Sequence, residues 1–488
     1  MKSQSIRMDK SHLFKILACF AVFFVFWVIP PVAPITSSGM KLIGVFIGTV
    51  LLLSIVDTLW PVFLSFALIS LTGIMTLNEV LSSSLGNWII TFVIMSFILT
   101  ESLNRAGFTN RLAAFYMSRK FVSKSPWVFT YAFMALGMIV GMFMDQVPAT
   151  AFFLGFANKI LKELGYTGKD RYANVLTLGV VFAINIGGAA TPISHSLTLL
   201  GMGIYETTTG TAMSMFEYML YGLPVAIVLF IGLCIVIKLL LRPDVEKFEN
   251  FDINKVLGEI QPMDLREKIT VVVFFGTVIL WMLPGVLSLF LSKDSSILVF
   301  LSKYSITFWA LIAVVILAVL QVDKNPVIDL KNIIEDGFPW GIIFFISIGV
   351  ILGSAMSHPS VGLNEFITQN LEPAISQIPE YAIVFILALV TCALTNFASN
   401  VTTITIMTGV AISLAMSTGI VHPVAIAMTT TMNGSLAYVM PSSFAPIAML
   451  HADENSNGST IIKYGLLFVL LSAIITTFIG YPLIKFMM

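Results

Sequence analysis

The feature that most constrains this chain is a set of long apolar runs almost free of charge. Ile16–Val32, Leu59–Met75 and Val271–Leu283 contain no Asp, Glu, Lys or Arg, and Val225–Leu241 contains only Lys238. About 20 mostly apolar residues suffice for one helix to cross the hydrocarbon core of a bilayer. A helix on the surface of a soluble protein keeps a polar face, and these runs have none. Charged side chains make up 11% of the 488 residues, against about 25% in soluble domains. The chain therefore reads as an all-α polytopic membrane protein, with the lipid bilayer as its main partner. A formal net charge of zero gives no reason to expect nucleic acid as a second one.

Eleven crossings are expected, near 13–33, 40–56, 59–77, 87–104, 172–190, 216–241, 267–290, 306–322, 339–356, 421–450 and 460–486. Two further segments, 126–163 and 379–416, read as re-entrant hairpins of short helices joined by polar tips. Non-helical backbone survives at membrane depth only where protein or a water-filled cavity covers it, so the tips are candidate binding elements. With the N-terminus in the cytoplasm, all of the 26 Lys and Arg residues lie on the cytoplasmic side except Lys41, Lys293, Lys303 and Lys485. This is the positive-inside pattern, and it puts the C-terminus outside. The expected location of this multi-pass chain is the plasma (inner) membrane. The first run follows Lys2, Arg7, Lys10 and Lys15, as a signal peptide would. It is too long for a signal peptide's apolar core and lacks a small-x-small cleavage site, so it reads as a retained helix. Cys19, Cys234 and Cys392 all fall inside apolar runs, with no disulfide or metal spacing.

Two stretches echo each other. Trp88 opens WIITFVI and Trp340 opens WGIIFFI; Gln146 and Ser399 sit at the two hairpin tips; Pro192 and Pro441 interrupt two later helices. The offsets are 252, 253 and 249, and a near-constant offset marks one unit used twice. Five crossings separate the Trp residues, so the second copy is inverted relative to the first. The chain divides into N-terminal helices 1–86, a first repeat 87–241, a polar cytoplasmic linker 242–266, connecting helices 267–338 and a second repeat 339–488. Inverted repeats with interrupted helices are the pattern of secondary transporters, whose site lies between the repeats.

The second tip reads Thr395-Asn396-Phe397-Ala398-Ser399-Asn400-Val401-Thr402-Thr403. A hydroxyl and an amide beside free backbone can bind a carboxylate or sulfate, and free carbonyls can hold a small cation. Helix N-termini favour the anion. The alternative is that these groups only cap and pack helices in lipid. The two breaks, around Thr191-Pro192 and Pro441-Ser442, each follow a tip by 42–46 residues. Proline unwinds a helix, aided at the first break by Gly187 and Gly188, and exposes carbonyls. Asp145 precedes the first tip residues Gln146, Val147 and Pro148. An acid at membrane depth is a functional candidate by default. It is suited to binding a cation, carrying a proton or pairing with His195, or else it caps the helix that starts near Pro148.

Ser399-Asn400-Val401 and the stretch Ile186–Pro192 resemble the tip and the first unwound segment of the divalent-anion/sodium symporters, the group of dicarboxylate, citrate and sulfate transporters. Leu257–Trp281 is similar to that family's cytoplasmic lead into the second half. The resemblance implies a homodimer, a scaffold domain and a mobile transport domain that moves as an elevator. It also implies a sodium site at Thr395, Ala398 and Asn400. The first tip departs from the pattern, with Gln146-Val147-Pro148 where the family has Ser-Asn-Thr.

The function expected is secondary active transport of small organic dianions, dicarboxylates first, coupled to Na+ or alternatively H+. The substrate-binding candidates are Ser399, Asn400, Val401, Gln146, Val147, Pro148, Thr191, Pro192, Pro441 and Ser442; Asp145 and His195 are the coupling candidates. An exchanger without sodium coupling, a sulfate transporter and an Na+/H+ antiporter are the alternatives. A channel would need a polar or basic pore, ATP-driven transport a P-loop, and an enzyme a catalytic motif such as HExxH; the sequence offers none of these.

Overall fold

A computed structural model describes residues 10–487 except 58, 121, 123–124, 249–261, 293 and 337. The middle of the linker expected at 242–266, and with it the start of the Leu257–Trp281 stretch, lies outside the described residues. The described chain is helical apart from one two-residue antiparallel pairing, Gln321–Val322 with Asn325–Pro326, which closes a turn between two helices.

Each expected crossing coincides with a helix or a broken helix. Several helices are shorter than expected. Trp60–Leu71 has 12 residues and ends where Thr72 donates its hydroxyl to the Ile69 carbonyl and Gly73 turns with positive φ. Ile306–Val319 has 14. The crossing expected at 172–190 is longer than foreseen. Arg171–Ala190 stops at Thr191, and Ser196–Thr209 continues beyond the break. The second broken helix is Pro423–Ser435 followed by Ala445–Ala452.

Hairpin 1 is Pro126–Phe143 and Gln146–Leu164; hairpin 2 is Glu380–Phe397 and Asn400–Thr418. Their arms are not short. At 18–19 residues each reaches ~27–29 Å at 1.5 Å per residue. Both tips nevertheless end inside the protein, on the breaks of the two broken helices.

Contacts sort the loops onto two faces. On one, Tyr166 Oη donates to the Asp244 carbonyl, Lys247 pairs with Asp170, Asn158 donates to Asp453, and Arg111 pairs with Glu267. On the other, Lys485 and Tyr481 meet Glu380, Thr36 donates to the Ser360 carbonyl, and Trp88 donates to Glu206. Hairpin 1 has its base on the first face and hairpin 2 on the second, as an inverted repeat requires. On the first face Thr167 donates through both its backbone N–H and its hydroxyl to Asp170, which holds that carboxyl below the usual range.

The centre of the molecule is the most buried part. Helix Arg171–Ala190 is buried almost throughout. Hairpin 1 packs on it through small residues that let the backbones approach. A side chain at Gly187 would run into the Met138 carbonyl, and one at Gly141 into that of Ile184.

Candidate functional site

Each hairpin tip is bolted to the break of its own repeat. In the second repeat the bolt is Asn396. Its side-chain oxygen accepts from the backbone N–H groups of Tyr438 (2.6 Å) and Val439 (2.8 Å), and its amide donates to the carbonyls of Cys392 (2.6 Å) and Leu436 (3.2 Å). These contacts satisfy backbone that unwinding has released. They explain why the helix stops at Ser435, several residues before Pro441. Beside the bolt, Thr395 Oγ1 lies 2.9 Å from Asn400 Oδ1 and 2.5 Å from the Gly434 carbonyl, and Asn400 Nδ2 lies 3.4 Å from that of Ser435. Thr395 and Asn400 are buried. A hydroxyl, an amide oxygen and a carbonyl from the last turn of the broken helix thus converge within hydrogen-bond distance. Neutral oxygens of this kind suit a hard monovalent cation. Among the described residues no group of three His, Cys, Asp or Glu side chains converges on one point.

In the first repeat Thr191 Oγ1 donates to the Met142 carbonyl (2.5 Å) and Ser194 Oγ to that of Gly141 (2.6 Å). Gln146 is buried against Gly188, where any side chain would collide with its amide. Its Nε2 makes only a weak 3.5 Å approach to the Asn185 carbonyl, and its Oε1 has no partner. Asn185 ties the two breaks together by donating to the Ala437 carbonyl at 2.6 Å. The Asn185 and Asn433 side-chain oxygens, both buried, are also without partners. Amide oxygens left in this state at a break are ready acceptors for a cation.

The tips differ in one respect that bears on charge. Both begin a helix, and a helix N-terminus attracts anions. At tip 1 Asp145 supplies the anion itself, accepting from the Val147 N–H at 2.9 Å. At tip 2 the capping residue, Ser399, makes no side-chain capping bond, so the first N–H groups of the following helix stay open. Tip 2 thus starts its helix without a capping side chain, and tip 1 starts its helix under a carboxylate.

The remaining candidates fall in several places. Val401, Ala398 and Pro148 are half-buried and Val147 is exposed. Pro192 is buried within the first break, whereas Pro441 and Ser442 are exposed. His195 is buried at the start of Ser196–Thr209, its ring edge-on to Phe444 of the second break at 6.1 Å, with Nε2 unpartnered. The ring therefore sits between the two breaks, and His195 does not line the cavity that holds Asp145. Sequence reasoning missed Asn185 and Asn396 as the residues that hold the breaks. The signal was present, an asparagine within two turns of each unwound segment or tip, but nothing local shows which backbone groups it will meet.

A model of the citrate transporter family, CitMHS, matches residues 41–431. A sodium-dependent dicarboxylate transporter, SdcS of Staphylococcus saprophyticus, is 23% identical over 417 residues, 83% of this chain and 78% of that protein. Among solved structures, the YdaH transporter of Alcanivorax borkumensis aligns with a TM-score of 0.56 at 12% identity, over 98% of this chain and 99% of that one. MtrF of Neisseria gonorrhoeae, described as one of a class of antimetabolite efflux pumps, gives 0.56 at 13% identity over 98% and 95%. These two likenesses speak to the fold alone.

Proposed function

The chain belongs to the citrate transporter family, among the divalent-anion/sodium symporters, and we propose that it is a sodium-coupled importer of small dicarboxylates. Its place among membrane transporters of organic anions is the common ground; the substrate, the ion and the mode of movement are the proposal. The observation that carries it is the contrast between the tips. Tip 2 combines an uncapped helix N-terminus with Ser399 and Asn400, groups that can grip a carboxylate. The Thr395–Asn400–Gly434 oxygens beside it offer a place for Na+. A cation there compensates the anion's charge next door, so each favours the other's binding. The dicarboxylate preference and the sodium are brought here from the similar SdcS proteins.

The two hairpins and two broken helices form the moving body in this reading, and the helices at 1–86 and 267–338 form the scaffold of a homodimer in the plasma membrane. Inverted repeats suit the motion because each half can take the other's conformation. One second reading has an observation behind it: Asp145 at tip 1 favours a proton in place of one sodium. Purified protein in liposomes, given labelled succinate, citrate and sulfate with and without sodium, tests both. Uptake of succinate that requires sodium supports the first reading. Uptake driven by a proton gradient in sodium-free buffer supports the second, and uptake of none of the three anions rejects both.

A further inference from the structure

On the face that the Lys and Arg count assigns to the cytoplasm, three helices leave an open cleft of ≈ 700 Å³ that the transport reading does not use. That volume is in the range of small-molecule sites. Lys169, Arg171 and Lys463 line the cleft, and no Asp or Glu is among its lining residues. Among the described residues none of these three cations has a carboxylate partner. Lys463 reaches only the ring of its neighbour Tyr464, at 5.5 Å. Asp170 stands between Lys169 and Arg171 in the chain, but its carboxyl accepts from the Thr167 N–H and pairs with Lys247 at 3.3 Å. The cleft thus gathers three positive charges without a counter-charge.

The backbone adds to the attraction. Arg171 and Asn174 lie in the first turn of Arg171–Ala190, and Ser459 and Thr460 in the first turn of Gly458–Ile475. Two helices therefore begin at the cleft, and a helix N-terminus favours an anion. The turn that carries Lys169 is held in place. The Asn174 amide donates to the carbonyls of Gly168 (3.1 Å) and Asp170 (3.2 Å). A side chain at Gly168 would run into the Glu454 carbonyl, so this turn lies directly on the loop that leads into Gly458–Ile475. That contact sets Lys169 and Arg171 of the first repeat beside Lys463 of the second.

The third wall is apolar. Leu240 and Leu241, at the end of the helix that runs from Met215 to Leu241, close the cleft. Leu239 and Leu240 are exposed there, and Ile462 and Leu466 are exposed on Gly458–Ile475. A free inorganic anion has no use for this border, whereas a phospholipid matches both the cations and the apolar side chains. Basic pockets between membrane-spanning helices on the cytoplasmic side suit anionic headgroups. From this geometry we infer that the cleft binds the phosphate headgroup of an anionic phospholipid of the cytoplasmic leaflet. Lys169, Arg171 and Lys463 are the cations on its phosphate, and its acyl chains run along the exposed Leu and Ile side chains. A bound headgroup joins the two repeats at this face, whatever anion or ion the protein carries.

The test is a binding measurement that needs no transport. Detergent-purified protein is titrated with phosphatidylglycerol or phosphatidylcholine while its unfolding midpoint is followed. The midpoint should rise with phosphatidylglycerol and not with phosphatidylcholine. Protein carrying Lys169→Gln, Arg171→Gln and Lys463→Gln together should need ~10-fold or more phosphatidylglycerol for half the effect, since each cation near an anionic lipid surface contributes to binding. Protein carrying Lys159→Gln, Lys162→Gln and Lys331→Gln loses the same charge at exposed positions outside the cleft. Its half-saturating amount should stay within ~3-fold of wild type, because distant surface charge is screened by salt. Lys169→Gln and Lys463→Gln, made singly, should weaken the lipid response in the same direction and keep the test valid if the cleft triple variant does not fold. An equal response to both lipids, or cleft and control variants that respond alike, overturns the inference. Inorganic phosphate, titrated against sodium chloride at equal ionic strength, should leave the midpoint unmoved. A rise with phosphate that matches the lipid's and is lost in the cleft variant overturns the assignment to a lipid.

Discussion

Asn396→Ala separates the groups that hold the site from the groups that use it. The substitution removes the acceptor for the Tyr438 and Val439 N–H groups, at 2.6 and 2.8 Å, and the donor to the Leu436 carbonyl. All three residues are fully or almost fully buried. A buried backbone donor left without a partner costs about 1–3 kcal/mol, so two of them cost roughly 2–6 kcal/mol. At about 2.1 cal/mol/K of unfolding entropy per residue, a chain of 488 residues shifts by roughly 1 °C per kcal/mol. A fall of ~2–6 °C is therefore expected for detergent-purified protein followed by a thiol- or fluorescence-based unfolding assay. Ser399→Ala is the contrast. Ser399 makes no side-chain capping bond, so the usual penalty for losing a cap does not arise. Its midpoint should stay within ~1 °C of wild type while its uptake falls. An Asn396→Ala protein as stable as wild type would refute the idea that this side chain holds the unwound segment.

Other expectations follow from the same geometry. Asn400→Ala should weaken anion and sodium dependence of uptake together by ~10- to 150-fold, because one bond to a charged group is worth about 1.5–3 kcal/mol; uptake titrations against each ligand measure it. Gly188→Ala should displace Gln146, and adding Gln146→Ala should restore part of the lost stability, whereas additive losses would show that the two do not touch. On a background without cysteines, Ser292→Cys should react with an impermeant thiol reagent outside intact cells and Glu246→Cys should not. Both side chains are exposed, so the opposite pattern would reverse the proposed orientation. At the cytoplasm-assigned face, the bonds that Thr167 donates to Asp170 should be present at neutral pH and be lost as pH falls through the lowered value of that carboxyl. The protection of the Thr167 amide, measured against its intrinsic exchange rate at each pH, should fall below that point and hold above it.

The sequence carried the architecture because lipid leaves few choices. Backbone in hydrocarbon must satisfy itself, so charge-free runs could only be helices, and the spacing from Trp88 to Trp340 was enough to reveal the duplication. It carried less about where helices end. Arg171–Ala190 continues as Ser196–Thr209 beyond the break at Thr191-Pro192, a continuation that the crossing expected at 172–190 did not include. Between the two helices Ser194 donates back to hairpin 1. Pro441 looked like the point of the second break, yet the helix already stops at Ser435, because a partner 40 residues away supplies what the backbone needs. The hydroxyls around Asp145 were also illegible. Ser96 and Thr100 read as ordinary helix residues until tertiary packing set them beside a carboxylate from another element.

The central claim is that tip 2 grips an anion while a sodium gradient drives it. Proteoliposomes holding equal sodium inside and out, or sodium outside only, can be given labelled succinate with no nucleotide present. The account predicts accumulation only with the inward gradient, and its loss in Ser399→Ala and Asn400→Ala proteins of normal stability. Equal uptake with and without the gradient, or undiminished accumulation by both variants, would contradict it.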